Sequence, residues 1–181
     1  MLWMKVLLCS LGASAATLIP TVTLASTSPV TYKPTTISVK GHKTLHVQHI
    51  VAKDPWSGVE TTWIRIDDVK ETLRRVGIVT TWNTSGTSFS LVKYPPGHAL
   101  RALGNPEVPP NASGIRFHLV AGAPPSGHMP KLVMKDPTTG AELVYMPIYY
   151  LNHMILNAYW KMNSHWNGQS NVWSLDFQPV E

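Results

Sequence analysis

The pattern of apolar and polar residues changes period twice between residues 44 and 92. The runs 44–51 and 61–66 have the composition of β-strands, and Pro55 and Gly58 between them occupy positions that favour a turn. The two runs are therefore predicted to form a β-hairpin.

After the hairpin, apolar residues recur with the spacing of a helix. Val69, Leu73 and Val76 lie at positions i, i+4 and i+7, which places them on one helical face. Gly77 suits the left-handed residue that often ends a helix. We expect one short amphipathic helix here.

Two further strands follow, and the whole order then returns. The runs 78–82 and 88–92 alternate again around a turn-forming segment, so the predicted order is β-β-α-β-β. The second stretch repeats this order with strands at 131–134 and 142–148 and a helix from about residue 149 to 159.

Sequence identity between the two stretches indicates a duplication. Residues 53–60 (KDPWSGVE) return as 135–142 (KDPTTGAE), displaced by 82 positions and identical at five of eight. A Trp-Asn pair at 82–83 returns at 166–167, displaced by 84. Two matches in the same order at nearly the same displacement are typical of a two-copy repeat.

A helix with one apolar face needs a sheet to cover it. We therefore expect an α+β fold of two tandem β-β-α-β-β modules, each a curled antiparallel sheet over one helix. The modules are predicted at residues 37–93 and 115–181. Residues 94–114, which contain five prolines, are predicted to form a linker.

The N-terminus has the pattern of a targeting segment. Lys5 precedes an uncharged apolar run at 6–19, and Ala25 precedes a polar stretch. We interpret residues 1–25 as a cleaved signal peptide and residues 26–36 as a flexible leader. An uncleaved membrane anchor is the less favoured alternative, because the run is shorter than the ~20 residues that span a bilayer. No stable membrane insertion is expected after cleavage.

Composition narrows the range of partners. Cys9 is the only cysteine, so its removal with the signal peptide leaves no disulfide or thiolate metal site. The mature chain keeps 14 basic and 10 acidic side chains, a net charge of +4 that favours anionic surfaces such as a cell wall. The basic residues are scattered, so nucleic acid is not an expected partner.

The ordered motifs of both stretches resemble those of a known family. A strand end at 63–66 leads directly into the helix, and the Trp-Asn pair at 82–83 precedes an alternating strand; 145–148 and 166–167 repeat these features. This order is similar to that of the copper amine oxidase N-terminal-like domain, a stalk module of exported Gram-positive proteins. The resemblance implies a module without cofactor, because the oxidase chemistry belongs to a separate, larger domain.

Several aromatic residues of the second copy are candidates for a binding surface. They have no aromatic partner in the first copy, and aromatic faces bind sugars and peptides. The candidates are Tyr149, Tyr150, Tyr159 and Trp160. Packing between the copies is the alternative explanation for them. Trp166 and Trp173 are instead predicted to be core residues, because Trp82 and Phe89 match them in the first copy.

Three histidines form the densest group of possible metal ligands. On a strand, His42 and His46 would share one face and His49 would point to the other, so a three-histidine site is not favoured. No metal or other cofactor is expected.

The function expected from the sequence is a non-catalytic scaffold, spacer or binding module, secreted or associated with the bacterial cell wall. Its expected partner is a cell-wall polymer or another surface protein. The alternative is a carbohydrate- or peptide-binding protein that uses the aromatics of the second copy. A small hydrolase is less favoured, since the carboxylate pairs Asp54/Glu60 and Asp136/Glu142 flank ordinary turns.

Overall fold

The computed structural model describes residues 30–83, 87–94, 114–123, 125–136, 139–153 and 162–177. This part of the chain forms eleven strands and two helices. The strands are β1 (Tyr32–Val39), β2 (Leu45–Lys53), β3 (Glu60–Arg65), β4 (Val79–Asn83), β5 (Ser88–Lys93), β6 (Ile115–His118), β7 (Gly127–Met129), β8 (Leu132–Lys135), β9 (Glu142–Pro147), β10 (Met162–Asn167) and β11 (Val172–Phe177). The helices are α1 (Ile66–Arg75) and α2 (Ile148–Leu151).

The strands form two sheets. The seven-stranded sheet has the order β10-β11-β1-β2-β3-β9-β8, and the four-stranded sheet has the order β4-β5-β6-β7. Two neighbouring pairs are parallel, β1 with β11 and β5 with β6. The other pairs are antiparallel.

The predicted α+β fold of two separate β-β-α-β-β modules is wrong. The protein is mostly β, and each repeat contributes strands to both sheets. The last strand of each repeat pairs with the first strand of the other repeat, and β3 of the first repeat pairs with β9 of the second within the larger sheet. The physical reason is that apolar residues of both sheets belong to one buried core, so the sheets bury their apolar faces against each other rather than each against a helix of its own.

The main hydrophobic core joins the two sheets. Ile37 and Trp173 from the larger sheet belong to the same buried cluster as Phe89 and Phe117 from the smaller one. The rings of Phe89 and Phe117 are stacked, with centroids 6.2 Å apart. A smaller cluster of Ile50, Trp63 and Tyr145 is built from β2, β3 and β9, and the residues next to Trp63 and Tyr145, Ile64 and Met146, belong to the main core.

Of the tryptophans predicted to be core residues, Trp173 is fully buried, whereas Trp82 and Trp166 are less buried than expected. Trp82 and Trp166 are half-buried and pack against the main core. Their cross-strand partners are fully buried: Trp82 pairs with Phe89, and Trp166 pairs with Trp173. In each repeat the partner, rather than the tryptophan of the Trp-Asn pair, fills the core.

The segment predicted to be a flexible leader, residues 26–36, is partly a strand. β1 begins at Tyr32 and lies in the interior of the larger sheet. Thr35, Ile37 and Val39 alternate inward and are buried, so a stretch rich in Thr is fixed by pairing on both sides. The predicted signal peptide and residues 95–113 of the predicted linker lie outside the described residues.

Helix α1 follows its predicted pattern. Val69, Leu73 and Val76 are buried, and Gly77 has a φ of 80° directly after the helix. The Ile78 amide donates to the Leu73 carbonyl at 2.9 Å, which closes the helix end. Of the predicted helix 149–159, residues 154–159 lie outside the described part of the chain. Neither described helix has the length and apolar character needed to cross a bilayer.

Candidate functional site

A cleft of about 440 Å³ lies between the start of β3, helix α2 and strand β10, and we call it the α2 cleft. Its position follows from the topology, because α2 continues directly from β9, which is the neighbour of β3. The lining residues are Glu60, Thr61, Thr62, Ile148, Tyr149, Asn152, Ser164, His165 and Trp166. The lining thus combines aromatic rings with hydroxyl, amide and carboxylate groups.

Tyr149 supplies an exposed aromatic surface to this cleft. Its side chain is 62% exposed. The ring packs edge-on against Tyr150, with centroids 5.4 Å apart, and lies nearly parallel to the His153 ring at 5.7 Å. These two contacts restrict the orientation of an otherwise exposed ring.

Trp166 forms a second aromatic surface of the α2 cleft. It is half-buried and meets the ring of His49 edge-on, with centroids 5.3 Å apart. His49 is itself buried, and its Nδ1 is hydrogen-bonded to the Thr35 hydroxyl. The indole is therefore positioned by side chains of the larger sheet.

A hydrogen-bond network lies beneath the cleft. Ser164 Oγ donates to Asn152 Oδ1 at 2.6 Å. The indole nitrogen of the buried Trp173 donates to both groups, to Ser164 Oγ at 2.9 Å and to Asn152 Oδ1 at 3.1 Å. The end of α2 is thereby fixed to β10 and to the core.

Tyr150 has a different role from Tyr149. Its hydroxyl donates to Asp54 Oδ2 at 2.9 Å, and its ring packs edge-on against Trp56 at 5.8 Å. Asp54 is buried and also accepts from the Trp56 amide and the Ser57 hydroxyl. Burial, and then the bond to Asp54, raise the pKa of Tyr150 well above its usual range. Tyr150 thus ties α2 of the second repeat to the β2–β3 turn of the first.

The structure separates the candidate aromatics predicted from the sequence. Tyr149 lines the cleft, Tyr150 lies behind it, and Tyr159 and Trp160 lie outside the described residues. Sequence reasoning missed the contribution of Trp166, because its match to Trp82 indicated a core position. Asn152 and Ser164 belong to no motif and gave no signal in the sequence.

The three histidines differ in their exposure to solvent. His42 and His46 are exposed, whereas burial, and to a smaller extent the charge of Lys33, lower the pKa of the buried His49. Within the described ranges, no group of three His, Cys, Asp or Glu side chains is arranged to hold a metal ion.

Comparison with protein families, with curated proteins and with solved structures finds no match to this chain. The resemblance to the copper amine oxidase N-terminal-like domain therefore stays a prediction from the sequence.

Proposed function

We propose that the protein is a non-catalytic, exported module that binds the saccharide of a bacterial cell-wall polymer in the α2 cleft. The observation that carries this proposal is the exposed, oriented ring of Tyr149 beside Trp166 in a cleft lined with polar groups. The apolar face of a sugar ring packs on an aromatic side chain, while its hydroxyls bind amide, hydroxyl and carboxylate groups.

The rigidity of the site supports binding rather than incidental exposure. Tyr149 is held by Tyr150 and His153, and Trp166 is held by His49. A surface whose side chains are already ordered loses less conformational entropy when a ligand binds. On the polar side of the cleft, hydrogen bonds among Asn152, Ser164 and Trp173 likewise fix the orientation of the side chains.

The test is retention of the purified protein on insoluble peptidoglycan. Tyr149→Ala should reduce retention at least tenfold, because it removes the exposed ring. Val59→Ala is the matched control, since Val59 is similarly exposed at 65% but lies in the β2–β3 turn. Equal retention of Tyr149→Ala and the parent would overturn the proposed site, and no retention of the parent would overturn the proposed ligand.

A second measurement separates saccharide from peptide. Soluble glycan strands and free stem peptides, prepared from the same peptidoglycan, are used as competitors. Release by glycan strands alone is expected. Release by stem peptides alone would favour peptide binding by the same cleft. Generic hydrolase substrates are screened beside these competitors, and turnover that Tyr149→Ala abolishes would contradict a non-catalytic role.

A further inference from the structure

The side-chain amide of Asn152 has a fixed orientation at the wall of the α2 cleft. Its Oδ1 accepts from Ser164 Oγ at 2.6 Å and from the indole nitrogen of Trp173 at 3.1 Å. An indole N–H group can only donate a hydrogen bond, so the Asn152 atom that faces Trp173 must be the amide oxygen. The oxygen is therefore held toward the core, and the amide nitrogen, Nδ2, lies on the other side of the amide group.

Ser164 supports the same orientation. Its Oγ accepts from the Trp173 indole at 2.9 Å, and its own proton is then donated to Asn152 Oδ1. The three groups form a closed network in which Oδ1 accepts twice. If the amide were turned over, its NH₂ group would face the indole N–H group, and two donors would meet without an acceptor.

The amide nitrogen of Asn152 keeps both of its N–H groups for a ligand. Within the described part of the chain, the side chain makes no hydrogen bond beyond the two at Oδ1. Nδ2 is not among the buried polar atoms that lack a partner, so it reaches solvent. Asn152 follows Tyr149 by three positions on α2, and both line the cleft. The cleft thus presents a pair of donors in a fixed direction, which suits a carbonyl oxygen.

Glu60 supplies an acceptor to the same cleft. Its side chain is exposed and makes no hydrogen bond or ion pair with the residues that the structure describes. The rings of Tyr149 and Trp166 add apolar surface. The lining therefore combines a fixed donor, an available acceptor and two aromatic rings.

An acetamido group has the chemistry that this lining complements. Its carbonyl oxygen accepts a hydrogen bond, its N–H group donates one, and its methyl group packs on an aromatic ring. A hydroxyl group at the same position of a sugar is shorter and has no methyl group. A ligand that leaves the Asn152 donors without an acceptor loses the free energy of their hydrogen bonds to water.

We propose that the α2 cleft recognises N-acetylated amino sugars, with Asn152 Nδ2 donating to the acetamido carbonyl while the sugar ring packs on Tyr149. This inference rests on the proposed saccharide-binding function and names the class of sugar. Asn152 is the specificity-determining residue, because its orientation is set by side chains on the core side of the cleft rather than by the ligand.

The first test uses the unmodified protein and two soluble oligosaccharides of the same length and linkage. Tetra-N-acetylchitotetraose carries an acetamido group on each sugar, and cellotetraose carries a hydroxyl group in its place. Isothermal titration should show saturable binding of the acetylated tetramer and at least tenfold weaker binding of cellotetraose. Equal affinities would overturn this inference but leave saccharide binding in place. Binding of neither tetramer would overturn the inference, even if the protein is retained on peptidoglycan.

A neutral peptide separates the amino sugar from its amide group. N-acetyl-trialanine methylamide offers several secondary amides but no sugar ring to pack on Tyr149. It should bind at least tenfold more weakly than the acetylated tetramer. Equal affinity for these two probes would show that the cleft recognises a peptide amide, and would overturn the assignment to amino sugars.

The second test changes the donor and keeps the shape of the side chain. Asn152→Asp retains an acceptor for Ser164 and Trp173 but replaces the NH₂ group by an oxygen, which repels the acetamido carbonyl. Affinity for the acetylated tetramer should fall at least tenfold, and the preference over cellotetraose should disappear.

Asn163→Asp is the matched control for this substitution. Asn163 is an exposed residue of β10 outside the lining of the α2 cleft, so the variant should bind both tetramers like the parent. A preserved preference in folded Asn152→Asp would contradict the role of Asn152. If Asn152→Asp does not fold, Asn152→Ala should lose the same preference, and a preserved preference there would contradict the role equally.

Discussion

The two repeats have corresponding strand-to-helix junctions but differ in the surface chemistry of their helices. In both, the helix begins at a buried isoleucine directly after a strand, Ile66 in α1 and Ile148 in α2. In the first repeat the next two residues are Asp67 and Asp68, and in the second they are Tyr149 and Tyr150. The two helix starts therefore correspond in position but differ in the side chains that follow the isoleucine.

The clefts beside the two helices make this difference concrete. The cleft between α1 and β4, of about 280 Å³, is lined mostly by charged residues: Asp67, Lys70, Glu71 and Arg74. These charges pair along the helix, Lys70 with Asp67 at 3.5 Å and Arg74 with Glu71 at 2.7 Å. Two of these positions, Asp67 and Lys70, correspond to Tyr149 and Asn152 of the α2 cleft. The charges of the first surface are paired within α1, whereas the second surface presents the exposed ring of Tyr149.

The largest expected loss of stability comes from substitutions in the core to which both repeats contribute. Phe89→Ala and Trp173→Ala remove corresponding, fully buried rings, and each should lower the free energy of unfolding by about 3–5 kcal/mol. Urea denaturation measures both losses. A loss below about 1 kcal/mol for either one would show that the repeats do not share equivalent core positions.

A smaller loss of stability is expected when the hydrogen bond between Tyr150 and Asp54, which links the two repeats, is removed. Tyr150→Phe removes one donor from the buried Asp54, which keeps the Trp56 amide and Ser57 hydroxyl. Since a buried acceptor loses only part of its partners, the expected cost is about 1 kcal/mol. Tyr149→Phe, at the exposed neighbouring position, is the control and should melt like the parent. Equal stability of both variants would show that the Asp54 bond does not hold α2.

The smallest expected effect on stability is a pH dependence that arises from His49 of the first repeat. Burial lowers the pKa of His49, and the second repeat has Lys131 at this position. In the unfolded chain the imidazole binds a proton near pH 6.5, before the folded protein does. The contribution of His49 to stability is therefore fully present above about pH 6.5, and it is lost as the pH falls toward the lower pKa of the folded state.

Urea midpoints at pH 7.5 and 5.5 measure this loss. His49→Asn should reduce the difference between the two midpoints, and the exposed His46→Asn should leave it unchanged. Part of the difference should remain in both variants, because burial also lowers the pKa of His128. An undiminished difference in His49→Asn would contradict the assignment.

Local structure could be predicted from the sequence, but its assembly could not. The hairpin of β2 and β3, helix α1 and its end at Gly77 follow from residue period and turn chemistry. An alternating pattern of apolar residues predicts a strand but does not indicate its neighbours in the sheet. The parallel pairings of β1 with β11 and of β5 with β6 could therefore not be predicted from the sequence. The same limit hid β1, whose Thr- and Pro-containing sequence is ordered by its neighbours.

The candidate site was predictable only where a residue differed between the copies. Tyr149 was found because Asp67 stands at its position in the first repeat. Trp166 was assigned to the core because it matches Trp82, although both are half-buried and can serve a surface as well as a core.

The exchange of strands between the repeats also constrains how the chain can fold. The Lys40–Asp176 ion pair, at 3.0 Å, closes a loop of 136 positions beside the pairing of β1 with β11. Contacts this distant in sequence lose chain entropy before they gain packing energy, and proteins that depend on them fold slowly. A growing chain has the interior strand β1 early but can complete the sheet around it only when β11 has been made.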